Sequence, residues 1–418
     1  MGYLSHDSIT LGSSLYRFYW LFFACLYREV RNQDLFRFTL YRALVLLLLL
    51  FALPSLIMWN HAGFWLDDVL FHQWADEEIV APLFIVGNAR SGTTFFHRLV
   101  ATETFEDQAA IFTTARTWEI VFGQSVTWRI LFTGLFRLDR RLCGGLCFSL
   151  LLKAEKCLCG DIHVHQVGLQ EAEEDEWVMA CLSLSQLLMF FFPQGGHLLD
   201  PLVLFDYRDS VPKTTRRAIF RFYRNFVRRH LYARRLIETK QEGARRRLIY
   251  ISKNPPFTMR LESLLATFPD ARVICLVRDP SESVPSMVSY IGKVWAAFAS
   301  PTIDYPDAAG LLAFCEAHYA YPNQVFGTPD ILPSSQCTTA YYKELLAKPS
   351  AEVMRVLRGV YGTERDFSHL SRRLKRADED AASKAYQSKH QYTLEGVTGK
   401  TPEELRILLK PIYDKNKF

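Results

Sequence analysis

The sequence lacks a regular cysteine framework, a strong charge of one sign and any internal repeat. Its nine cysteines follow no regular spacing, and Cys275 lies in an apolar stretch typical of a buried strand, so a compact disulfide framework is not expected. The net charge of +5 is small for 418 residues, and charge alone therefore predicts no nucleic-acid partner. With 49% hydrophobic and 22% charged residues, the composition is that of a folded protein.

Four cysteines and two histidines lie close enough in the sequence to raise the question of a zinc site. They are Cys143, Cys147, Cys157, Cys159, His163 and His165. Their gaps differ from the two-residue gaps between the paired ligands of structural zinc sites. We therefore interpret these cysteines as core or helix-face residues and predict no metal.

One hydrophobic run is unusually long. Residues 43–59 are 17 successive residues without a charge, at the short limit for a membrane span, and Pro54 interrupts them. Five arginines precede the run and five acidic residues follow it, so a spanning segment would keep its N-terminus cytosolic. The aromatic-rich stretch before the run would instead suit a monotopic anchor, and a buried core helix is a third possibility. We predict that residues 1–78 are membrane-associated, single-pass or monotopic.

From residue 79 onward, apolar strand-like segments alternate with helical patterns. The predicted strands are residues 83–87, 247–253 and 271–279, with a weaker fourth at 337–342. Alternation of this kind is typical of an α/β fold with a mostly parallel sheet flanked by helices. A mostly helical insert is expected between the first two strands, at about residues 105–245. Residues 79–418 are therefore predicted to form one α/β domain.

The stretch "GNARSGTT" follows the first predicted strand and begins a helix. Gly87 and Gly92 have the spacing of a phosphate-binding loop, but Thr93 stands where nucleotide-hydrolysing loops carry lysine. A glycine-rich turn at a helix N-terminus still binds phosphate through backbone N–H groups and the helix dipole. Arg90 adds a cation, and Ser91, Thr93 and Thr94 add hydroxyl donors. The loop predicts a phosphate site without the lysine that holds a triphosphate.

A second phosphate site is indicated by "RDPSESVPS". Arg278 lies at a predicted strand end, and Ser286 follows eight residues later on the next helix. A guanidinium and a hydroxyl suit an isolated phosphate monoester. Two phosphate sites at adjacent strand ends imply a nucleotide with phosphates at both ends of its ribose.

Together these two motifs resemble those of the sulfotransferases that use 3′-phosphoadenosine 5′-phosphosulfate. The family's first motif, Pro-Arg-Ser-Gly-Thr-Thr, matches residues 89–94 except that Ala89 replaces proline, and its Arg and Ser eight residues apart match Arg278 and Ser286. The segments "ISKNPP", "FPDARVICLVRDP" and "YYKELLAKPSAEVMRVLRGVYG" are also similar to family segments, so the resemblance covers about residues 80–415. It implies a P-loop-like fold and transfer of a sulfuryl group to the hydroxyl of a carbohydrate, lipid or small-metabolite acceptor.

The resemblance also implies roles for individual residues. Thr93 and Thr94, with Ser91 and Gly92, would hold the 5′-phosphate of the donor, and Arg278 and Ser286 would hold the 3′-phosphate. Arg90 would be the cation against the leaving oxygen, with Lys253 as a second cation, and the reaction would require no metal. Glu119 in "TWEI" is the predicted catalytic base, with His165 and Glu174 as alternatives.

Two other function classes remain open on the sequence. A nucleotide kinase or NTPase would use a similar sheet, but it would need the missing lysine and a magnesium ligand. A non-catalytic membrane-anchored nucleotide-binding scaffold would explain the apolar run but not the two phosphate motifs.

Overall fold

A five-stranded parallel sheet forms the centre of the computed structural model, within the part of the chain that it describes. The described residues are 9–33, 36–101, 112–159, 168–238, 248–300, 308–363, 367–382, 393–416 and 418. The strands are β1 (Leu83–Gly87), β2 (Phe112–Thr113), β3 (Ile249–Lys253), β4 (Arg272–Val277) and β5 (Cys337–Tyr341). They lie in the order β2-β3-β1-β4-β5, and each adjacent pair is parallel. The predicted α/β fold class is confirmed.

Helices surround this sheet. The α-helices before β3 are α1 (Leu11–Arg31), α2 (Leu40–Leu70), α3 (Thr93–Val100), α4 (Thr117–Val121), α5 (Val126–Leu142), α6 (Leu146–Cys159), α7 (Gly196–Val203) and α8 (Lys213–Glu238). Those after β3 are α9 (Leu261–Thr267), α10 (Pro280–Phe298), α11 (Ala308–Val325), α12 (Tyr342–Ala347), α13 (Pro349–Tyr361), α14 (Ser368–Ala382), α15 (Leu394–Thr398), α16 (Pro402–Leu408) and α17 (Lys410–Lys415). Short 3-10 helices span His72–Asp76, Asp175–Leu182, Gln186–Phe190, Pro193–Gly195 and Pro255–Arg260.

The strands are apolar because both faces of the sheet are covered. Leu83 and Ile85 of β1 belong to one hydrophobic cluster, together with Phe96 of α3. Phe84 points to the opposite face and packs against Phe257, with ring centroids 6.2 Å apart. Successive side chains of a strand point to opposite faces, so a doubly covered strand reads as a continuous apolar run.

The parallel arrangement brings the carboxyl ends of the strands to one edge. β1 lies between β3 and β4, with Ile85 opposite Lys253 and Gly87 opposite Leu276. The residues that follow β1, β3 and β4 are therefore neighbours in space although they are far apart in sequence. In open α/β sheets this edge is where ligands bind.

Four of the five described strands were predicted. β2 was missed because it has only two residues, Phe112–Thr113, which is too short to show an alternating pattern. It also interrupts the insert predicted at residues 105–245, whose described remainder is mostly helical. The helix expected after β3 begins as the 3-10 helix Pro255–Arg260 and continues as α9.

The long apolar run lies within α2, which continues through Pro54. By length and composition α2 could cross a membrane, although 28% of its apolar window is buried. Residues on one side of α2 are buried at helical intervals: Arg42, Leu46, Leu49, Pro54, Ile57, Asn60, Gly63 and Asp67. Leu46 and Ile57 join the core cluster that contains Phe84 of β1. The boundary predicted at residue 78 stays a prediction, but this packing argues against a detachable anchor.

Buried ion pairs hold the first two helices in place. Arg42 forms a bidentate pair with Glu29, with nitrogen–oxygen distances of 2.6 and 2.9 Å. The same guanidinium donates to the carbonyl oxygens of Phe191 and Phe298, at 2.8 and 2.6 Å. Because both charged side chains are almost fully buried, removal of either partner would leave an uncompensated charge in the core.

We therefore expect Arg42→Ala to lower the free energy of unfolding by roughly 3 to 5 kcal/mol, since Glu29 would remain buried without its partner. Arg37→Ala is the matched control, because Arg37 is exposed. It should change the free energy of unfolding by less than about 0.5 kcal/mol. Denaturant unfolding of both variants makes the comparison. Equal stability of the two variants would show that the buried Arg42–Glu29 pair does not stabilise the fold.

Candidate functional site

The loop between β1 and α3 is shaped by two glycines. Gly87 has φ +132°, and a Cβ there would lie 2.3 Å from the carbonyl oxygen of Leu276 on β4. Gly92 has φ +86°, and a Cβ there would lie 2.5 Å from the ring of Tyr342. The Thr258 hydroxyl accepts from the Gly87 N–H at 2.8 Å and lies 3.0 Å from its carbonyl oxygen. The loop is thus fixed closely against neighbouring elements at both ends.

The loop leads directly into a helix N-terminus. Gly92 is the N-cap of α3, and Thr93 and Thr94 form its first turn. Arg90 has φ +67°, a left-handed conformation that is unusual for a non-glycine residue. Ser91 and Thr93 are buried. A cavity beside the loop is lined by Arg90, Gly92, Thr93 and Thr94. The positive end of the α3 dipole therefore faces a space that can accept an anion.

Hydrogen bonds join the two predicted phosphate motifs. Arg90 Nε donates to Ser286 Oγ at 3.1 Å, and Arg278 Nη1 donates to the Arg90 carbonyl oxygen at 3.1 Å. The Arg278 guanidinium also lies 4.4 Å from the ring centroid of Tyr342, and Arg90 lies 5.6 Å from that of Tyr290. The structure thus brings together residues that are almost 200 positions apart in the sequence. Two cations and two hydroxyl-bearing segments form one positively charged edge of the cavity.

Lys253 lies behind this edge, at the end of β3. Its Nζ donates to Thr94 Oγ1 at 3.1 Å, and it lies 3.0 Å from Glu174 Oε1 and 3.4 Å from Glu173 Oε1. Burial acts against the charged form, yet the two glutamates outweigh it and raise the pKa of Lys253. Both glutamates line the cavity, so a cation–carboxylate group faces the space beside the phosphate loop.

The acidic run at residues 171–176 has two separate roles. Asp175 is buried and accepts hydrogen bonds from Ser252 at 2.9 Å and Asn254 at 3.0 Å. Glu176 is buried and pairs with Arg260 at 3.0 Å. These two carboxylates fix the 3-10 helix Asp175–Leu182 against the β3 end. Glu173 and Glu174, immediately before it, are thereby held at the cavity wall.

The cavity has a volume of about 980 Å³ and is mainly apolar beyond its charged edge. Its apolar wall includes Leu53, Leu56, Trp177, Phe190, Ile291 and Phe298. Residues of α2 and α10 thus form part of the apolar cavity wall. A space of this size, with a few convergent polar groups at one side, is typical of a small-molecule site.

Glu119 occupies a different environment. Its carboxylate accepts from the Arg116 N–H at 2.8 Å and pairs with Arg129 and Arg234, each at 3.4 Å. Burial acts against its charged form, but these arginines outweigh it and hold the pKa of the carboxyl below its ordinary value of 4.5. Among the described residues, its neighbours Thr117 and Ile120 line the cavity and Glu119 does not. This geometry disfavours Glu119 as the catalytic base and supports a structural role.

Two other predictions concern residues near the insert. His165 lies outside the described residues, as does His163. Cys143 and Cys147 have ligand atoms within 4.8 Å of a carboxylate oxygen of Asp139. That carboxylate accepts from the backbone N–H groups of Cys147 and Phe148, at 3.2 and 3.0 Å, and so caps the start of α6.

Comparison with known proteins agrees with this geometry. A model of the sulfotransferase family matches residues 199–361, which include Lys253, Arg278 and Ser286. Over these residues the chain is similar to the sulfotransferase family, and this match supports a sulfotransferase assignment. The matched range excludes the phosphate loop, so this support does not depend on the glycines that first suggested it.

Two solved sulfotransferase structures have a similar fold. Sulfotransferase STF9 from Mycobacterium avium is 18% identical with a TM-score of 0.64, over 93% of this chain and 89% of that one. Sulfotransferase STF1 from Mycobacterium tuberculosis is 16% identical with a TM-score of 0.60, over 94% of this chain and 92% of that one. At these identities the likeness extends to the fold alone.

Curated relatives are named omega-hydroxy-beta-dihydromenaquinone-9 sulfotransferase Stf3, from Mycobacterium bovis and Mycobacterium tuberculosis. Each is 22% identical over 302 residues, which are 70% of this chain. The match spans 66% of the relatives' own length, just under two thirds.

Sequence reasoning missed several residues of this candidate site. Glu173 was not distinguished from its acidic neighbours, because only the fold separates the cavity-lining carboxylates from the buried ones. The rings of Tyr290 and Tyr342 lie against the guanidinium groups of Arg90 and Arg278, respectively. In the sequence, only their closeness to the two motifs could have indicated them. Thr258 lies three residues after "KNP" and could have been noticed as a hydroxyl near a strand end.

Glu119→Gln tests the structural role assigned to this carboxylate. The variant keeps the side-chain shape but leaves the buried guanidinium groups of Arg129 and Arg234 uncompensated, so we expect the free energy of unfolding to fall by roughly 3 kcal/mol or more at neutral pH. Glu344→Gln, at an exposed position of α12, should have almost no effect.

The same variant gives a pH dependence with a defined sign. Because the folded pKa of Glu119 is lowered, its contribution to stability is present above the ordinary value of 4.5 and is lost as the pH falls through the folded pKa. The difference in unfolding free energy between the parent protein and the variant should therefore shrink at acidic pH. A difference that grows on acidification would contradict the assigned charge state.

Proposed function

We propose that the protein transfers a sulfuryl group from 3′-phosphoadenosine 5′-phosphosulfate to the hydroxyl of an apolar acceptor. The observation that carries this proposal is the hydrogen-bonded link between Arg90 and Ser286, which unites two phosphate motifs at the edge of an apolar cavity. Similarity to the sulfotransferase family supports the reaction type, and the two proposed phosphate sites support 3′-phosphoadenosine 5′-phosphosulfate as the donor.

The donor would be held at both ends of its ribose. The backbone of residues 92–94 and the hydroxyls of Thr93 and Thr94 would bind the 5′-phosphate at the α3 N-terminus. Arg278 and Ser286 would bind the 3′-phosphate, with charge-assisted hydrogen bonds from the guanidinium. The nearby Arg90 would extend the positive charge towards the sulfuryl group.

The reaction would place the acceptor hydroxyl between the donor and the carboxylates. Its oxygen attacks the sulfur atom, its proton passes to Glu174, and the bond from sulfur to the bridging phosphate oxygen breaks. Adenosine 3′,5′-bisphosphate leaves with the electron pair of that bond. Lys253 and Arg90 would stabilise the charge that develops on the leaving oxygen. Glu174 is preferred as base because 21% of its side chain is exposed, against 6% for Glu173.

The acceptor would be an alcohol with a large apolar part. Beyond its charged edge, the cavity wall is built mainly from leucine, isoleucine and aromatic side chains, which give little hydrogen bonding to a carbohydrate. The curated relatives are named for a hydroxylated menaquinone, and this name supports a lipid-like acceptor. For such a molecule, attachment of the enzyme to a membrane through the apolar N-terminal region is also proposed.

Nucleotide titrations separate this function from the alternatives. The proposal predicts that adenosine 3′,5′-bisphosphate binds more tightly than ATP with Mg²⁺, because Thr93 replaces the lysine that supports a triphosphate. Tighter binding of ATP with Mg²⁺ would favour a kinase or NTPase. Binding of neither nucleotide would contradict the sulfotransferase proposal and both alternatives.

Arg278→Ala tests the 3′-phosphate assignment. Loss of a charge-assisted hydrogen bond costs about 1.5 to 3 kcal/mol, so the dissociation constant for adenosine 3′,5′-bisphosphate should rise by about 10- to 150-fold. Ser286→Ala should have a smaller effect, and Arg358→Ala, at an exposed position of α13, should have none. Calorimetric titration measures all three. Unchanged affinity of Arg278→Ala would overturn the assignment.

Glu174→Gln tests the base. Turnover should fall by about 10²- to 10⁴-fold, because the acceptor proton loses its recipient. The affinity for adenosine 3′,5′-bisphosphate should stay nearly unchanged, because the donor contacts come from other residues. Glu173→Gln is the matched comparison, and a larger loss there would move the role to Glu173. Near-normal turnover of both variants would exclude this carboxylate pair.

A further inference from the structure

Four neighbouring helices, α1, α2, α5 and α6, expose large apolar side chains to solvent. We infer that this docking face, represented by Trp20, Phe23, Leu48, Phe51, Leu135 and Leu150, lies on the surface of a phospholipid bilayer, with α2 parallel to the membrane plane. The six side chains are between 44% and 67% exposed. The inference rests on the proposed membrane attachment and specifies its geometry.

The contacts of α2 exclude a membrane-spanning orientation for the folded chain. Its buried side begins at Arg42, which pairs with Glu29, and ends at Asp67. Asp67 accepts from the backbone N–H groups of Val126 and Thr127, at 2.9 and 2.8 Å, and pairs with Arg229 at 2.9 Å. These contacts hold α2 along almost its whole length.

A spanning helix would have to give up those contacts. About 20 consecutive residues are needed to cross the hydrocarbon core, and charged groups there are costly. Between residues 40 and 66, Arg42 is the only Asp, Glu, Lys or Arg in the sequence, and its side chain is buried within the protein. The exposed side of α2 therefore carries none of these charged residues over this range. In an in-plane orientation, this exposed side contacts lipid while the buried side keeps its contacts with the domain.

Charge at the edge of the docking face suits anionic headgroups. Arg31 and Arg37 are exposed between the end of α1 and the start of α2, and Arg140 and Arg141 are exposed at the end of α5. Basic residues beside an apolar surface attract the negative leaflet of a membrane. The exposed Asp68 lies at the far end of α2.

The docking face shares a helix with the cavity wall. Leu48 and Phe51 of α2 are exposed, whereas Leu53 and Leu56, on the following turn, line the cavity. A bilayer in contact with α2 would therefore lie beside the space proposed for the acceptor. This arrangement suits an acceptor that is itself dissolved in the membrane.

Vesicle flotation of the full chain is the first test. We expect binding to phosphatidylcholine vesicles that contain phosphatidylserine, and a loss of at least about tenfold in binding for the double variant Leu48→Gln/Phe51→Gln, which removes two apolar contacts. Ile407→Gln, which alters an exposed apolar residue on α16, is the control and should bind as the parent does. Unchanged thermal unfolding and unchanged affinity for adenosine 3′,5′-bisphosphate in the double variant would show that its fold is retained.

The basic edge is tested with the same vesicles. Arg31→Gln/Arg37→Gln should reduce the preference for vesicles with phosphatidylserine over pure phosphatidylcholine. Arg217→Gln/Arg221→Gln removes two exposed arginines from α8 and should leave that preference unchanged. The opposite result would place the membrane contact on α8 and overturn the docking face.

Labelling of the two flanks of α2 distinguishes in-plane from spanning geometry. Gln33 and His72 are exposed and lie on either side of α2. In protein added to sealed vesicles, Gln33→Cys and His72→Cys should each gain one further adduct of a membrane-impermeant maleimide, relative to the parent. If only one of the two introduced cysteines were labelled, and the other reacted only after detergent was added, α2 would span the membrane. That result would overturn the in-plane orientation but not membrane attachment. Absence of vesicle binding would overturn both, and the nucleotide titrations would still test sulfuryl transfer separately.

Discussion

The hydrogen bond from Arg90 to Ser286 is the contact on which the account of the site depends. Arg90 belongs to the loop after β1, and Ser286 belongs to the helix after β4. The two meet because β1 and β4 are adjacent and parallel, so their carboxyl ends lie side by side. Arg278 strengthens the link through the Arg90 carbonyl oxygen. A single register between two strands therefore sets the separation of the two proposed phosphate sites.

Paired charges stabilise the segment next to these two motifs. Lys253 faces Glu173 and Glu174, while Asp175 and Glu176 secure the same segment from within. Each charged group has a partner, and this pairing offsets the cost of removing it from water. The outcome is a rigid polar edge beside an apolar cavity. Such an edge suits a reaction in which catalysis is mostly charge stabilisation and orientation.

The sequence predicted the features that depend on local pattern. The four longer strands, the loop around Gly92 and the positions of Arg278 after β4 and Ser286 on the next helix all follow from short segments with a fixed physical meaning. Glu119 was different, since its arginine partners come from α5 and α8 and only tertiary structure brings them together. A carboxylate near a loop helix has the same sequence signal whether it faces substrate or core.

The apolar run shows a second kind of limit. Burial in a protein core and contact with lipid select the same side chains, so residues 43–59 could not be assigned from composition. In the structure one side of α2, which includes Asn60 and Asp67, is buried against the domain. β2 could not be predicted, because a strand of two residues is too short to show an alternating pattern of apolar and polar side chains.

Transfer of radioactive sulfur is the most direct test of the central claim. The full chain is incubated with 3′-phosphoadenosine 5′-phosphosulfate labelled in the sulfuryl group and with a membrane lipid extract, and the organic phase is then analysed for labelled product. The account predicts a labelled, lipid-soluble sulfate ester, accompanied by release of adenosine 3′,5′-bisphosphate. A protein that binds the labelled donor but transfers label only to water-soluble acceptors would contradict the apolar-acceptor assignment. Absence of transfer to any hydroxyl acceptor would contradict the enzymatic function itself.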